Sequence, residues 1–213
     1  MRMSFSPAMA GALWSELKTE TRRVSPRPLP DGALISVLEP YAVHVRYDMA
    51  RKKPSDCTPP VWYTDGTMAG GEVMNGVQVH TPSSQGDWRP ARYMPTRFSR
   101  MTLRVTGFRR EKLHEIDEDG SMREGIVAAG TGGLFQPWSG EDRRLNVRGP
   151  FGPVACADLA GDSRREAFRN LWDTLHARDA EGRWAANPYV SVIAFEVLRQ
   201  NIALVKGGGH GGE

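Results

Sequence analysis

Near the start of the chain, apolar residues fall at four-residue steps (Met9, Leu13, Leu17), which predicts one face of a short helix. Ser6 stands where an N-cap belongs, and Pro7 where a missing N–H costs nothing. After Leu17 the character changes. Thr19, Thr21 and Val24 are β-branched, so the segment predicts a strand leaving the helix end. Leu34–Leu38 and residues 43–49 read as the next strands. Two hairpins follow, turning at Asp65-Gly66 and Asn75-Gly76, dipeptides that tolerate positive φ. Residues 101–108 alternate, with Met101, Leu103 and Val105 on one face and Thr102, Arg104 and Thr106 on the other. Residues 117–124 predict a short helix stopped by Gly125. Ser163-Arg-Arg-Glu166 is a capping box ahead of the helical face Phe168, Leu171, Trp172 and Leu175, and Tyr189–Leu198 reads as a buried strand.

Between these elements lie a proline-stiffened connection (Pro26, Pro28, Pro30), a polar loop at 51–60, and a long insertion at 126–162. The insertion holds seven glycines and three prolines with little periodicity. Residues 206–213, five of them glycine, read as a disordered tail, leaving one domain over 1–205. Many short strands, few helices and no regular strand–helix alternation predict an α+β fold built on a small mixed β-barrel.

Composition narrows the function. The chain has 213 residues, 39% of them hydrophobic, and a mean hydropathy of −0.47. No apolar run is long enough to span a membrane, and the first helix is too rich in Ser, Pro and Gly for a signal h-region, so a cytoplasmic protein is expected. Cys57 and Cys156 make no disulfide framework and lack metal-ligand spacing. The five histidines are scattered, so neither a metal nor a cofactor is expected. Charge is concentrated: residues 85–112 carry seven arginines and one lysine against Asp87 and Glu111, interleaved with Trp88, Tyr93, Phe98 and Phe108. Arginine with aromatics contacts phosphates and stacks bases. Codon bias in a GC-rich genome would also produce 23 arginines to 5 lysines.

The run Lys18-Thr-Glu-Thr-Arg-Arg23 gathers an amine, a hydroxyl and a guanidinium at the helix–strand junction. That set suits an anionic or planar polar ligand, or attack on a carbonyl. It also fits a solvated helix end with Lys18 placed against the helix dipole. The segment from Ser6 to Val24 resembles the signature of the ASCH family, roughly G-x-K-x-x-T-x-R. Trp-Arg-Pro-Ala-Arg-Tyr-Met-Pro (88–95), Ser-Arg-Met-Thr-Leu-Arg-Val-Thr (99–106), Phe-Arg-Asn-Leu-Trp-Asp (168–173) and Asn-Pro-Tyr-Val (187–190) are similar to further blocks of its phage and prophage members.

The resemblance implies a PUA-like mixed β-barrel with flanking helices and long inserted loops. It also implies a partner among nucleic acids (RNA or single-stranded DNA) or modified nucleosides. Binding through a barrel pocket around Lys18, Thr21 and Arg22 is the first reading, with Arg46, Asp48, Trp88, Arg89, Arg92, Met94 and Arg97 as further ligand contacts. The second is an amidohydrolase removing an acyl group from a nucleoside such as N4-acetylcytidine, or a nuclease. There Lys18 serves as base, Thr21 as nucleophile, and Tyr47 stands where phage members often carry a glutamate. A third reading, an accessory protein with a vestigial pocket, would leave Lys18 and Thr21 buried in salt bridges. The family's glycine two residues before the lysine is Glu16 here, at a position where glycine would ease a left-handed turn.

Overall fold

The computed structural model of the chain describes residues 1–24, 27–43, 61–65, 67, 88–129, 133–137 and 159–207, together with the backbone of 47–48, 53–54 and 68–69. Helix α1 (Pro7–Trp14) starts as expected, with the Ser6 hydroxyl accepting the Met9 N–H, and it buries Met9, Ala10, Ala12 and Leu13. It ends a turn earlier than the apolar spacing predicts. Glu16 takes φ 59°, and the N–H groups of Leu17 and Lys18 both return to the Ala12 carbonyl, at 2.9 and 3.2 Å. This left-handed reversal exchanges two side chains: Leu17 is 41% exposed and Lys18 is 1% exposed.

Five strands form the main sheet: β1 (Arg2–Ser4), β2 (Glu20–Arg23), β3 (Leu34–Leu38), β10 (Thr102–Lys112) and β13 (Tyr189–Leu198), in the order β1-β3-β10-β13-β2. Strands β1 and β3 are parallel and the other pairs antiparallel, with a register shift in β10 between Val105 and Gly107. The alternation seen in sequence holds for Met101, Leu103 and Val105, all buried, and for the exposed Arg104 and Thr106. Thr102 is buried as well, its hydroxyl donating to the Gln200 carbonyl at 2.8 Å. Ile35, Val37, Leu103 and Val105 pack with α1 and with Phe168 and Trp172 of α3 (Arg164–Leu175) in the main core. Each such side chain contributes roughly 1.5–3 kcal/mol by leaving water. Among the described residues the strands close no barrel. The two edges nevertheless meet: Arg23 of β2 donates from Nη2 to the Ser4 carbonyl of β1 at 2.9 Å and lies over the Phe5 ring at 5.0 Å.

A second sheet, in the order β8-β7-β4-β9, is made of β4 (Tyr41–Val43), β7 (Val61–Tyr63), β8 (Met68–Ala69) and β9 (Trp88–Arg89). It covers a separate cluster of Leu38, Tyr41, Val61, Tyr63, Met94 and Phe98. Arg100 joins the two sheets. It grips Glu39 through Nε and Nη2 at 2.8 and 2.9 Å, reaches Asp65 and Thr67 at 2.7 Å each, and stacks on Trp14 and Tyr63. Burial raises the Glu39 carboxyl, with Arg100 opposing. Burial and then the nearby Glu39 push the Tyr63 phenol up to about 12.

Several expectations change. Of the strand expected over 43–49, Val43 belongs to β4 and Tyr47–Asp48 form β5, which pairs with β6 (Lys53–Pro54); residues 44–46 and 49 lie outside the described residues. The Asp65-Gly66 hairpin forms as β7–β8; Asn75-Gly76 lies outside the described residues. The 126–162 insertion opens as a hairpin of β11 (Ile126–Ala128) and β12 (Phe135–Pro137), and Leu159 near its end joins the main core. In α3 the Ser163 hydroxyl accepts the Glu166 N–H as expected, but the Glu166 carboxylate takes the Asp162 N–H, and Leu175 is exposed. Helix α4 (Ile202–Gly207) claims the first two residues of the expected tail.

The turn at Glu16 generates a test. A non-glycine residue in the left-handed region costs roughly 1–2 kcal/mol, partly offset on substitution by glycine's greater unfolded-state entropy. The exposed Glu16–Arg199 pair adds little. Glu16→Gly is expected to stabilise the chain by about 0.5–1 kcal/mol, a rise of roughly 1–4 °C in Tm. A lower Tm by calorimetry would remove the strain from this account.

Candidate functional site

Among the described residues strand β2 is paired only with β13, so its other edge would leave backbone groups without partners. The C-terminal end of α2 (Glu118–Arg123) supplies them. The Thr19 N–H donates to the Arg123 carbonyl at 2.9 Å, and the Arg22 N–H donates to Glu124 Oε1 at 2.6 Å. Lys18, turned inward by the reversal at Glu16, donates from Nζ to the Glu124 carbonyl at 3.0 Å and forms an ion pair with Glu124 Oε2. Gly125 makes the approach possible. Its φ is 93°, and a Cβ there would sit 3.1 Å from that of Ala12 and 3.4 Å from that of Lys18.

Around this pair lies a ring of further charges. Arg22 bonds Glu111 Oε1 through Nε and Nη2 at 2.9 and 2.8 Å, while its Nη1 lies 3.4 Å from Glu124 and 3.6 Å from Glu20. Arg109 bridges Glu20 and Glu111 at 3.0 and 2.9 Å, and Arg123 reaches Glu20 at 3.2 Å. Lys18, Thr21, Arg22, Glu20 and Glu124 are all buried. Burial lowers the pKa of Lys18 despite the opposing pull of Glu124. For Glu20, burial pushes upward, but Arg109 and Arg123 outweigh it and hold the carboxyl below its usual value. Chemically, the junction offers an amine that gives up its proton more readily than a solvated lysine, held on a carboxylate. A hydroxyl lies three residues along the chain.

Of the residues singled out in sequence, Lys18 and Arg22 meet on Glu124, while Thr21 is buried on the strand between them, on the alternate face from Glu20 and Arg22. Lys18 buried in an ion pair is what the third reading, a vestigial pocket, expects of it. Arg46 lies outside the described residues, as do the side chains of Tyr47 and Asp48 on β5. Trp88 and Arg89 sit on β9 opposite Ala42 and Tyr41, and Arg92, Met94 and Arg97 on the turns after it, all within the second sheet's layer. Met94 is fully buried in that layer's apolar cluster, a packing role in place of the expected ligand contact. Among the described residues no hydrogen bond or ion pair joins this group to Lys18, Thr21 or Arg22. The basic stretch also divides: Arg100, Arg104 and Arg109 are held by carboxylates, whereas Arg89, Arg92, Arg97 and Arg110, all exposed, form no ion pair among the described residues.

The residue that sequence reasoning missed is Glu124. A physical signal was present, because a carboxylate at the C-terminal end of a helix opposes the macrodipole and calls for a cation. Lys18, 106 residues away, is that cation.

Removing one partner of a buried pair leaves an uncompensated charge. Lys18→Met is therefore expected to cost about 3–5 kcal/mol in denaturant unfolding, and Lys18→Met/Glu124→Gln to recover most of it. A loss near the roughly 0.5 kcal/mol of a surface change would mean that the pair is open to water. The unfolded chain holds the Lys18 proton up to 10.5, while the folded chain releases it at lower pH. Between those values wild-type stability, relative to Lys18→Met, is expected to rise with pH.

The chain matches no protein-family model, no curated protein and no solved structure, so its resemblance to the ASCH family rests on the sequence motifs alone.

Proposed function

We propose that the junction of α1, β2 and α2 binds the base of a nucleoside, modified or carried in RNA or single-stranded DNA, around Lys18, Thr21 and Arg22. The observation that carries this reading is the Glu124 carboxylate, which accepts from the Lys18 amine and the Arg22 N–H away from water. A base edge presents amine donors and carbonyl acceptors of the kind these groups satisfy among themselves. A carboxylate suits an exocyclic amine, and a guanidinium suits a carbonyl or phosphate. A buried ion pair is a weak source of stability compared with apolar packing, and perturbed ionisation gathers at functional sites. The ASCH-like signature supports the same class of ligand.

The same carboxylate favours a second reading, hydrolysis of an N-acyl nucleoside. The acidic role that motif position places at Tyr47 would fall to Glu124. Lys18, in its neutral form, takes the proton of the Thr21 hydroxyl, and the oxygen attacks the acyl carbon. The proton then passes to the departing amine, and water releases the acyl group from Thr21.

One experiment weighs both readings. The full chain is titrated calorimetrically with cytidine and N4-acetylcytidine, and nucleosides are followed by mass spectrometry after incubation with these compounds and with bulk tRNA. Saturable binding is expected, weakened at least tenfold in Glu124→Gln. Loss of the acyl mass, abolished by Thr21→Val while binding persists, would establish the hydrolase. No binding and no product from a folded wild-type chain would reduce the Lys18–Glu124 pair to a clamp between α2 and β2.

A further inference from the structure

Within the basic stretch a short pattern occurs twice: Pro90-Ala-Arg92-Tyr93 and Pro95-Thr-Arg97-Phe98. Both copies fold alike. Each proline precedes a single 3₁₀ turn, and its carbonyl accepts the N–H of the aromatic residue, at 3.0 Å from Tyr93 and 2.9 Å from Phe98. In each copy the guanidinium carbon lies 4.8 Å from the centroid of the following ring. The turns are anchored from beneath. Met94 is buried between them, the Tyr41 hydroxyl donates to the Tyr93 carbonyl at 3.0 Å, and the Asn201 amide donates to the carbonyls of Thr96 and Ser99 at 2.8 and 2.7 Å.

We infer that this duplicated turn is a contact surface for a single-stranded nucleic acid, with Arg92 and Arg97 holding phosphates and Tyr93 stacking a base. A guanidinium held over a ring, with no carboxylate on its N–H groups, can offer those groups to a phosphate in a bidentate manner. Among the described residues neither Arg92 nor Arg97 has a carboxylate partner, unlike Arg100, Arg104 and Arg109, and no acidic residue occurs from Trp88 to Arg110. The rings differ in use. Phe98 is buried in the second sheet's apolar cluster and offers no free ring, whereas Tyr93 is 61% exposed on a fixed backbone. A stacking platform requires such a rigid, exposed ring. An acidic polypeptide would use the arginines but not the ring. The choice of nucleic acid rests on the reading of the Lys18 junction as a site for bases, and the surface extends that reading from one base to a strand.

The test is fluorescence anisotropy of the full chain with labelled oligo(dT) and oligo(U) fifteen-mers across a salt series, with circular dichroism to confirm folding of each variant. Arg92→Gln/Arg97→Gln is expected to weaken binding at least tenfold and to flatten the slope of log K against log salt by roughly 1.4, two phosphate contacts at about 0.7 each. Tyr93→Ala should weaken binding about tenfold and leave the slope unchanged, because stacking releases no counterions. Arg104→Gln, which disturbs only an exposed pair with Glu196, should stay within twofold of wild type. Undiminished binding by the double variant would overturn the proposal. So would polyglutamate competing as well as the oligonucleotide, which would assign the surface to acidic protein. Failure here is separable from failure at the junction. A folded double variant that still binds single nucleosides but no strand isolates this surface. A wild type that binds strands through these arginines but no nucleoside overturns the junction alone.

Discussion

The carboxylate of Glu124 is the constraint on which the surrounding structure depends. Strand β2 lies at a sheet edge, and the side chain of Lys18 just before it is buried. A lone ammonium in such a place is costly enough that it must be paired or lose its proton. Glu124 meets both demands, accepting from the strand's Arg22 N–H and from the Lys18 amine. The local features follow from bringing that carboxylate to the edge. The left-handed turn at Glu16 aims Lys18 inward, Gly125 clears the space where a side chain would strike Ala12, and the Arg123 carbonyl takes the Thr19 N–H. Helix α2, whose Met122 is exposed and whose buried residues are Gly120 and Ser121, is therefore placed by polar groups rather than by an apolar face.

Arginine does much of the remaining joining. Arg23 carries a hydrogen bond from one edge of the main sheet to the other, where among the described residues no backbone pairing joins them. Arg100 fastens the second sheet to the first by a two-point grip on Glu39, with aromatic rings of α1 and β7 against its plane. Lysine could not reproduce the Arg100 contact, which uses the planar fork as well as the charge. A share of the chain's arginine excess thus belongs to its architecture. A basic stretch seen in sequence overstates the surface left to a partner, since Arg100, Arg104 and Arg109 are already matched.

What could be read in advance was whatever depends on neighbours along the chain. Tyr189–Leu198 is a strand over the residues its β-branched and aromatic run marks. The Asp117 cap and Gly125 stop of α2, and the Ser163 cap of α3, are local hydrogen-bonding arrangements visible as residue types. Leu17 misled because its spacing continues the helical face, while the reversal that expels it is formed at a glutamate, a residue without preference for positive φ. Strand β1 is three residues long and exists through parallel pairing with β3, a contact with no local signature. The Lys18–Glu124 pair spans 106 residues, so Lys18 was legible as a chemical candidate while its partner was not.

The charges of the junction bear on which form of Lys18 the fold prefers. With the amine protonated, Lys18, Arg22, Arg109 and Arg123 face Glu20, Glu111 and Glu124, one cation in excess. With the amine neutral, three guanidiniums face three carboxylates. The arginines cannot yield a proton at any ordinary pH, so Lys18 is the cation that can adjust. Burial acts in the same direction, and the attraction of Glu124 opposes both without overcoming them. The Lys18 amine is thus held less firmly protonated than that of a solvated lysine, by burial first and by the neighbouring guanidiniums as well.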